Sequence, residues 1–276
     1  MSTSSDSINY AKLFGFKSIP AAVIFAICYL PLCLWFIPKV IMRRTYAVFT
    51  VTLFCLMRFA AFIIRVALLA SNSIGEDENV FIVDEVLFSI GFFGLLYGAY
   101  GLVLDRRFAD AELNSLALCA TSQYHENPVN AILSNRKLFH LVLLAGLIMG
   151  IIGITDSTGS SPSSSGTTLR KASVIVFLIL TLLQAYQTFT LRIPSFASSL
   201  LVIPSGLVTE LLSLGPLQLF LLVREIYLVS TISSTIKQNK EDTWYPLVAL
   251  PELICVVLYA LPGVIPPTPG SSDLPR

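Results

Sequence analysis

Residues 45–70 read TYAVFTVTLFCLMRFAAFIIRVALLA, an apolar run of membrane-crossing length that nevertheless contains Arg58 and Arg65. About 20 apolar residues in helical form cross roughly 30 Å of hydrocarbon, so this stretch predicts a transmembrane helix. An arginine near the centre of such a helix costs about 2.5 to 3.5 kcal/mol on insertion scales, and it is normally turned inward and paired. Seven residues make almost two turns, which places both guanidinium groups on nearly one face. That face is expected to point at other helices, so the run implies a bundle around it.

The whole chain fits the same solvent. Of 276 residues, 55% are hydrophobic and 13% charged, and mean hydropathy is +0.77. Those values lie far from a soluble globular domain, and membrane lipid is the expected surrounding. A net charge of +1 and a pI near 7.6 supply no basic field, so nucleic acid is not expected as a partner.

Outward from residues 45–70, the apolar runs predict an all-α polytopic bundle of seven spans: 19–37, 45–70, 80–104, 138–155, 172–191, 206–232 and 244–264. Residues 1–18 form an N-terminal segment and 265–276 a tail. Pro31 is expected to kink the first span and Pro38 to end it. Gly91, Gly94, Gly98 and Gly101 in span three, and Gly146, Gly150 and Gly153 in span four, suit close helix packing. The DRR sequence at 105–107 is expected to end the third crossing and begin an interfacial helix that uses Phe108, Leu113, Leu116 and Ala117, closed by Asn127-Pro128. TDSTGSSPSSSGTT at 155–168 reads as a flexible loop. The apolar stretch FASSLLVI at 196–203, between spans five and six, has no assigned place. Counting loops alternately puts nine Lys/Arg on one side and six on the other, which predicts an outside N-terminus and a cytoplasmic C-terminus. Plasma membrane and internal membranes both fit.

Counting outward from the loop at 71–79 puts Arg65 level with Glu85, beside Asp84. The same count around the connection between spans six and seven sets Arg224 and Glu225 near Glu252. With Arg58 deeper, these seven residues are the candidate ligand-binding set. They predict an outward-opening polar cavity among spans two, three, six and seven, in which acids outnumber arginines. Ion pairs that merely hold helices together are the competing reading. Glu252 is the leading candidate for an acid without a cation, and the preceding Pro251 frees a backbone carbonyl beside it.

Other chemistry finds no footing. His125 and His140 are the only histidines, so no intramembrane metal centre is expected, and no Walker loop or dinucleotide fingerprint is present. No lysine falls in span seven to carry a Schiff base. Cys28, Cys33, Cys55 and Cys255 fall in apolar runs and Cys119 in a connection, which suits small buried hydrophobes rather than disulfides. No catalytic residues and no cofactor are assigned, and the chain reads as a non-enzyme. Its oligomeric state is left open.

Three stretches, LFGFKSIPAAVIF at 13–25, DEVLFSIGFFGLLYGAYGLVLDR at 84–106 and WYPLVALPELICVVLYALPG at 244–263, resemble a group of uncharacterised fungal seven-span membrane proteins. The layout of spans, the arginines of span two and the closing pattern of Glu241, Trp244, Tyr245, Ala249, Leu250, Pro251, Pro262 and Gly263 are distantly similar to the fungal lipid-translocating exporter family. That resemblance implies seven spans and the handling of toxic lipophiles. The resulting expectation is a membrane protein that transports or senses a small lipophilic or amphipathic ligand. The alternatives are a seven-helix signalling receptor and a structural or assembly subunit. The absence of an Asn-X-Ser/Thr sequon and of cysteines in the outer loops weighs against the receptor.

Overall fold

The structure is a computed structural model that describes residues 9–42, 45–117, 136–158, 163–198, 205–261 and 264. It is all-helical among those residues. The long helices are α1 (Ile19–Met42), α2 (Tyr46–Ala70), α3 (Glu78–Ala117), α4 (Arg136–Thr158), α5 (Ser164–Ser198), α6 (Ser205–Ser230) and α7 (Glu241–Ala260). Among the described residues six of them, all but α6, are long and apolar enough to cross a membrane, which makes this a multi-pass membrane protein. The 26-residue α6 coincides with the expected span 206–232.

Sequential helices pack as neighbours, α1 on α2, α2 on α3, α3 on α4, α4 on α5, α5 on α6 and α6 on α7. The seventh returns against α1 and α2 and closes the bundle, while α3 also touches α5 and α6 and so lies at its centre. Outward faces keep large apolar side chains such as Ile27, Leu34 and Trp35 of α1 exposed, as a lipid-facing helix requires. Between α4 and α5 the spacing is set by glycine. A Cβ on Gly153 would stand 2.4 Å from the backbone nitrogen of Arg170, so only a residue without one permits this crossing.

Several helix ends fall elsewhere than the sequence suggests. Pro38 does not stop α1, which runs to Met42. The third helix continues past Leu104 to Ala117 as one rod of 40 residues, because DRRFADAELNSLA holds no glycine or proline and is rich in helix formers. The expected break before a separate interfacial helix is therefore absent at that point, and Asn127-Pro128 lies outside the described residues. The polar stretch at 155–168 is partly helical: Ser163 Oγ accepts from Gly166 N at 3.0 Å, and the Thr167 and Thr168 hydroxyls donate to the Ser164 carbonyl at 2.8 and 2.9 Å. Serines that read as linker act there as an N-terminal cap. Residues 199–203 of the unplaced stretch at 196–203 fall outside the described residues. In α7, residues Tyr245–Ala249 form a π turn directly before Pro251, and the Leu250 N–H reaches the Tyr245 carbonyl. The wider turn absorbs the missing N–H groups of Pro246 and Pro251.

Residues 9–18 lie across the end of the bundle that holds the α2–α3 and α6–α7 connections. Gly15 takes φ +92°, which a side chain would oppose, and this turn lets the Phe16 N–H reach the Ala11 carbonyl at 2.9 Å. Phe14 and Phe16 then pack on Phe81 of α3, and Tyr10 donates to Glu78 at 3.1 Å. The neighbouring carboxylate raises the Tyr10 pKa above its ordinary value.

Candidate functional site

Both arginines of α2 face inward and each is ion-paired with a carboxylate. Arg65 grips one oxygen of Asp84 with Nε at 3.1 Å and Nη2 at 2.7 Å. Three rings, Phe16, Phe88 and Trp244, stand 4.2 to 4.3 Å from its guanidinium carbon. Stacked rings and a carboxylate together replace the water that the cation gives up. The partner of Arg65 is thus Asp84, one residue from the Glu85 that hairpin counting sets level with it.

Two turns further in, Arg58 donates to Glu252 Oε1 at 2.6 Å, and Arg224 Nε reaches the same oxygen at 2.7 Å. Arg224 also holds Glu225 through Nη1 and stacks on Phe92, its guanidinium carbon 3.7 Å from the ring centre. Gly91 makes this arrangement sterically accessible, since a Cβ there would sit 3.1 Å from Arg58 Nη1. Glu252 is therefore an acid with two cations, where the sequence suggested one with none.

Glu85 completes the set differently. Its Oε1 accepts from Asn239 at 3.0 Å, and its Oε2 stands 3.8 Å from Arg170 Nη2, which donates to Gln238 at 2.7 Å. This is the most exposed of the buried-end pairs, at 15% and 12% side-chain accessibility. With Arg170 counted, four arginines face four acids, so the expected excess of carboxylate is cancelled among the described residues.

A cavity of about 80 Å³ lies beside these groups, and its charged wall is Arg65, Glu85, Arg170, Arg224 and Glu225. Phe88, Phe92, Phe177 and Trp244 supply its rings. Its walls come from α3, α4, α5, α6, α7 and the α6–α7 connection, and α2 contributes only Arg65. The expected cavity among spans two, three, six and seven is thus displaced toward α4 and α5. Arg58, Asp84 and Glu252 stand behind the wall as its support. One oxygen each of Asp84, Glu225 and Glu252 has no hydrogen-bond partner among the described residues. Buried acceptors of this kind call for water or a ligand donor.

The sequence reading missed Arg170, Gln238 and Asn239. Arg170 follows the serine-rich stretch and Gln238–Asn239 lies in a polar connection, so both look like solvent-facing loop until the α4–α5 crossing folds them inward. No family model, no curated protein and no solved structure matches this chain. The class defined by fold and site is a multi-pass helical membrane protein with a small charged cavity at one end of its bundle.

Proposed function

We propose that this protein binds the polar part of a small amphipathic molecule in the cavity and carries it across the membrane, without chemical change. The observation that carries the reading is the cavity itself. A purely structural set of ion pairs would close on itself, whereas here Arg65, Arg170 and Arg224 share a wall with Glu85, Glu225 and four aromatic rings around open volume. Arg224 is the coupling element: it divides its donors between Glu225 and Glu252, and Glu252 in turn holds Arg58 of α2. A ligand group that engages Arg224 competes with both acids and so alters how α2, α6 and α7 hold together. The lipid-facing exterior supports the same direction.

The chain has two tryptophans, Trp35 and Trp244, and only the second lines the cavity. A Trp35→Phe variant of the full chain in nonionic detergent leaves Trp244 as the sole reporter. Saturable change of its emission with short-chain amphipaths, and flux of a labelled amphipath in vesicles above the protein-free rate, are the expected results. An unresponsive Trp244 together with flux equal to protein-free vesicles defeats the proposal.

A further inference from the structure

We infer that the ligand group taken by this cavity is a small zwitterion, its anionic end on Arg170 and its cationic end on Glu85; this rests on the cavity being the binding site proposed above. Two observations carry it. The first is the charge sum. Arg58, Arg65, Arg170 and Arg224 balance Asp84, Glu85, Glu225 and Glu252, so these eight paired side chains sum to zero charge before anything enters. A singly charged ligand would leave one net charge in a poorly solvated place, whereas a zwitterion adds none.

The second is the geometry of the mouth. The other pairs are in direct hydrogen-bond contact, but Arg170 and Glu85 stand 3.8 Å apart, outside that range. Each is held in position by its own amide, Gln238 for the cation and Asn239 for the anion, contributed by adjacent residues of one connection. The result is a fixed positive pole beside a fixed negative pole at the rim of the cavity. A ligand with both charges within a few bonds replaces one long contact by two short ones at the rim of the wall that also holds Arg224 and Glu225. The volume agrees in scale: about 80 Å³ corresponds to roughly five to eight water sites, which suits an amino-acid-like or betaine-like group and excludes a bulky ring system.

A zwitterion of this kind reaches the site either as a free solute or as a phospholipid headgroup. The test titrates the Trp35→Phe protein, full length in nonionic detergent, with glycine betaine as the free solute and dihexanoylphosphatidylcholine as the lipid. Choline and acetate serve as the two half-molecules, and hexanol as an uncharged amphipath. At least one zwitterion is expected to bind at least tenfold more tightly than either half-molecule, and whichever does so identifies the source. Arg170→Gln and Glu85→Gln are each expected to weaken that binding about tenfold. Choline or acetate binding as tightly as both zwitterions overturns the inference, and this comparison needs no variant. So does unchanged zwitterion affinity in both variants. Should hexanol alone move Trp244, the zwitterion fails while the binding site stands; should nothing move it, the zwitterion fails, and the binding site falls with it when flux also equals that of protein-free vesicles.

Discussion

Arg58 and Arg224 converge on a single atom, Oε1 of Glu252, from helices that lie on either side of it, at 2.6 and 2.7 Å. One carboxylate thereby ties α2 and α6 to α7. Removing its charge strips Arg58 of its carboxylate and leaves Arg224 with Glu225 alone. Breaking one buried pair commonly costs about 3 to 5 kcal/mol, so Glu252→Gln is expected to lower the melting temperature in detergent more than any other single change among the seven candidates. The double variant Arg58→Met, Glu252→Met is expected to recover part of the loss, because Arg224 keeps Glu225. A melting temperature for Glu252→Gln within a degree of the parent contradicts the arrangement.

Arg65→Lys tests whether the guanidinium shape matters beside its charge. Lysine keeps the cation but not the two-donor grip on Asp84 or the flat face against Phe88 and Trp244. A destabilisation of about 1 to 3 kcal/mol is expected, read by thermal unfolding. Equal stability of the two proteins shows that charge alone suffices.

Gly153→Ala places a methyl group where Arg170 N stands 2.4 Å away. Backbone cannot yield as a side-chain tip can, so α4 and α5 must move apart. The expected cost is about 1 to 3 kcal/mol, together with weaker ligand response at Trp244, because Arg170 moves with its backbone. Gly101→Ala is the control: a Cβ there meets nothing within 4 Å, and the variant is expected to melt like the parent.

Tyr10 donates to Glu78, and its pKa lies above the usual value of 10.0 because ionisation would remove the proton of that hydrogen bond and leave two negative charges together. The neutral phenol is the form that the fold favours. Its contribution is thus present below the unfolded pKa and lost as pH rises through the higher folded one. Attachment of residues 9–18 is expected to loosen above pH 10, read as faster proteolysis after Lys12, and Tyr10→Phe is expected to show no such added pH step.

The all-α multi-pass class and the inward arginines were legible because length, hydropathy and a seven-residue interval are local properties of the chain. Pairing partners were legible only to within a turn. Asp84 and Glu85 are neighbours in sequence yet face different helices, and nothing in their order says which meets Arg65. The two cations assigned to Glu252 lie 194 and 28 residues away, a distance over which no periodicity speaks. Arg170 was hidden for a different reason: a serine-rich approach normally means solvent, and here the Ser163 cap and a glycine crossing turn it into the start of a helix.

The 194-residue separation of Arg58 from Glu252 also bears on biosynthesis. At about 5 to 20 residues per second, the ribosome needs roughly 10 to 40 s between the two. Throughout that interval α2 sits in the translocon or bilayer with a cation whose final counter-ion has not been made. A nascent chain stopped before residue 241 is therefore expected to be a substrate for membrane quality control, and one carried through the last helix is expected to escape it.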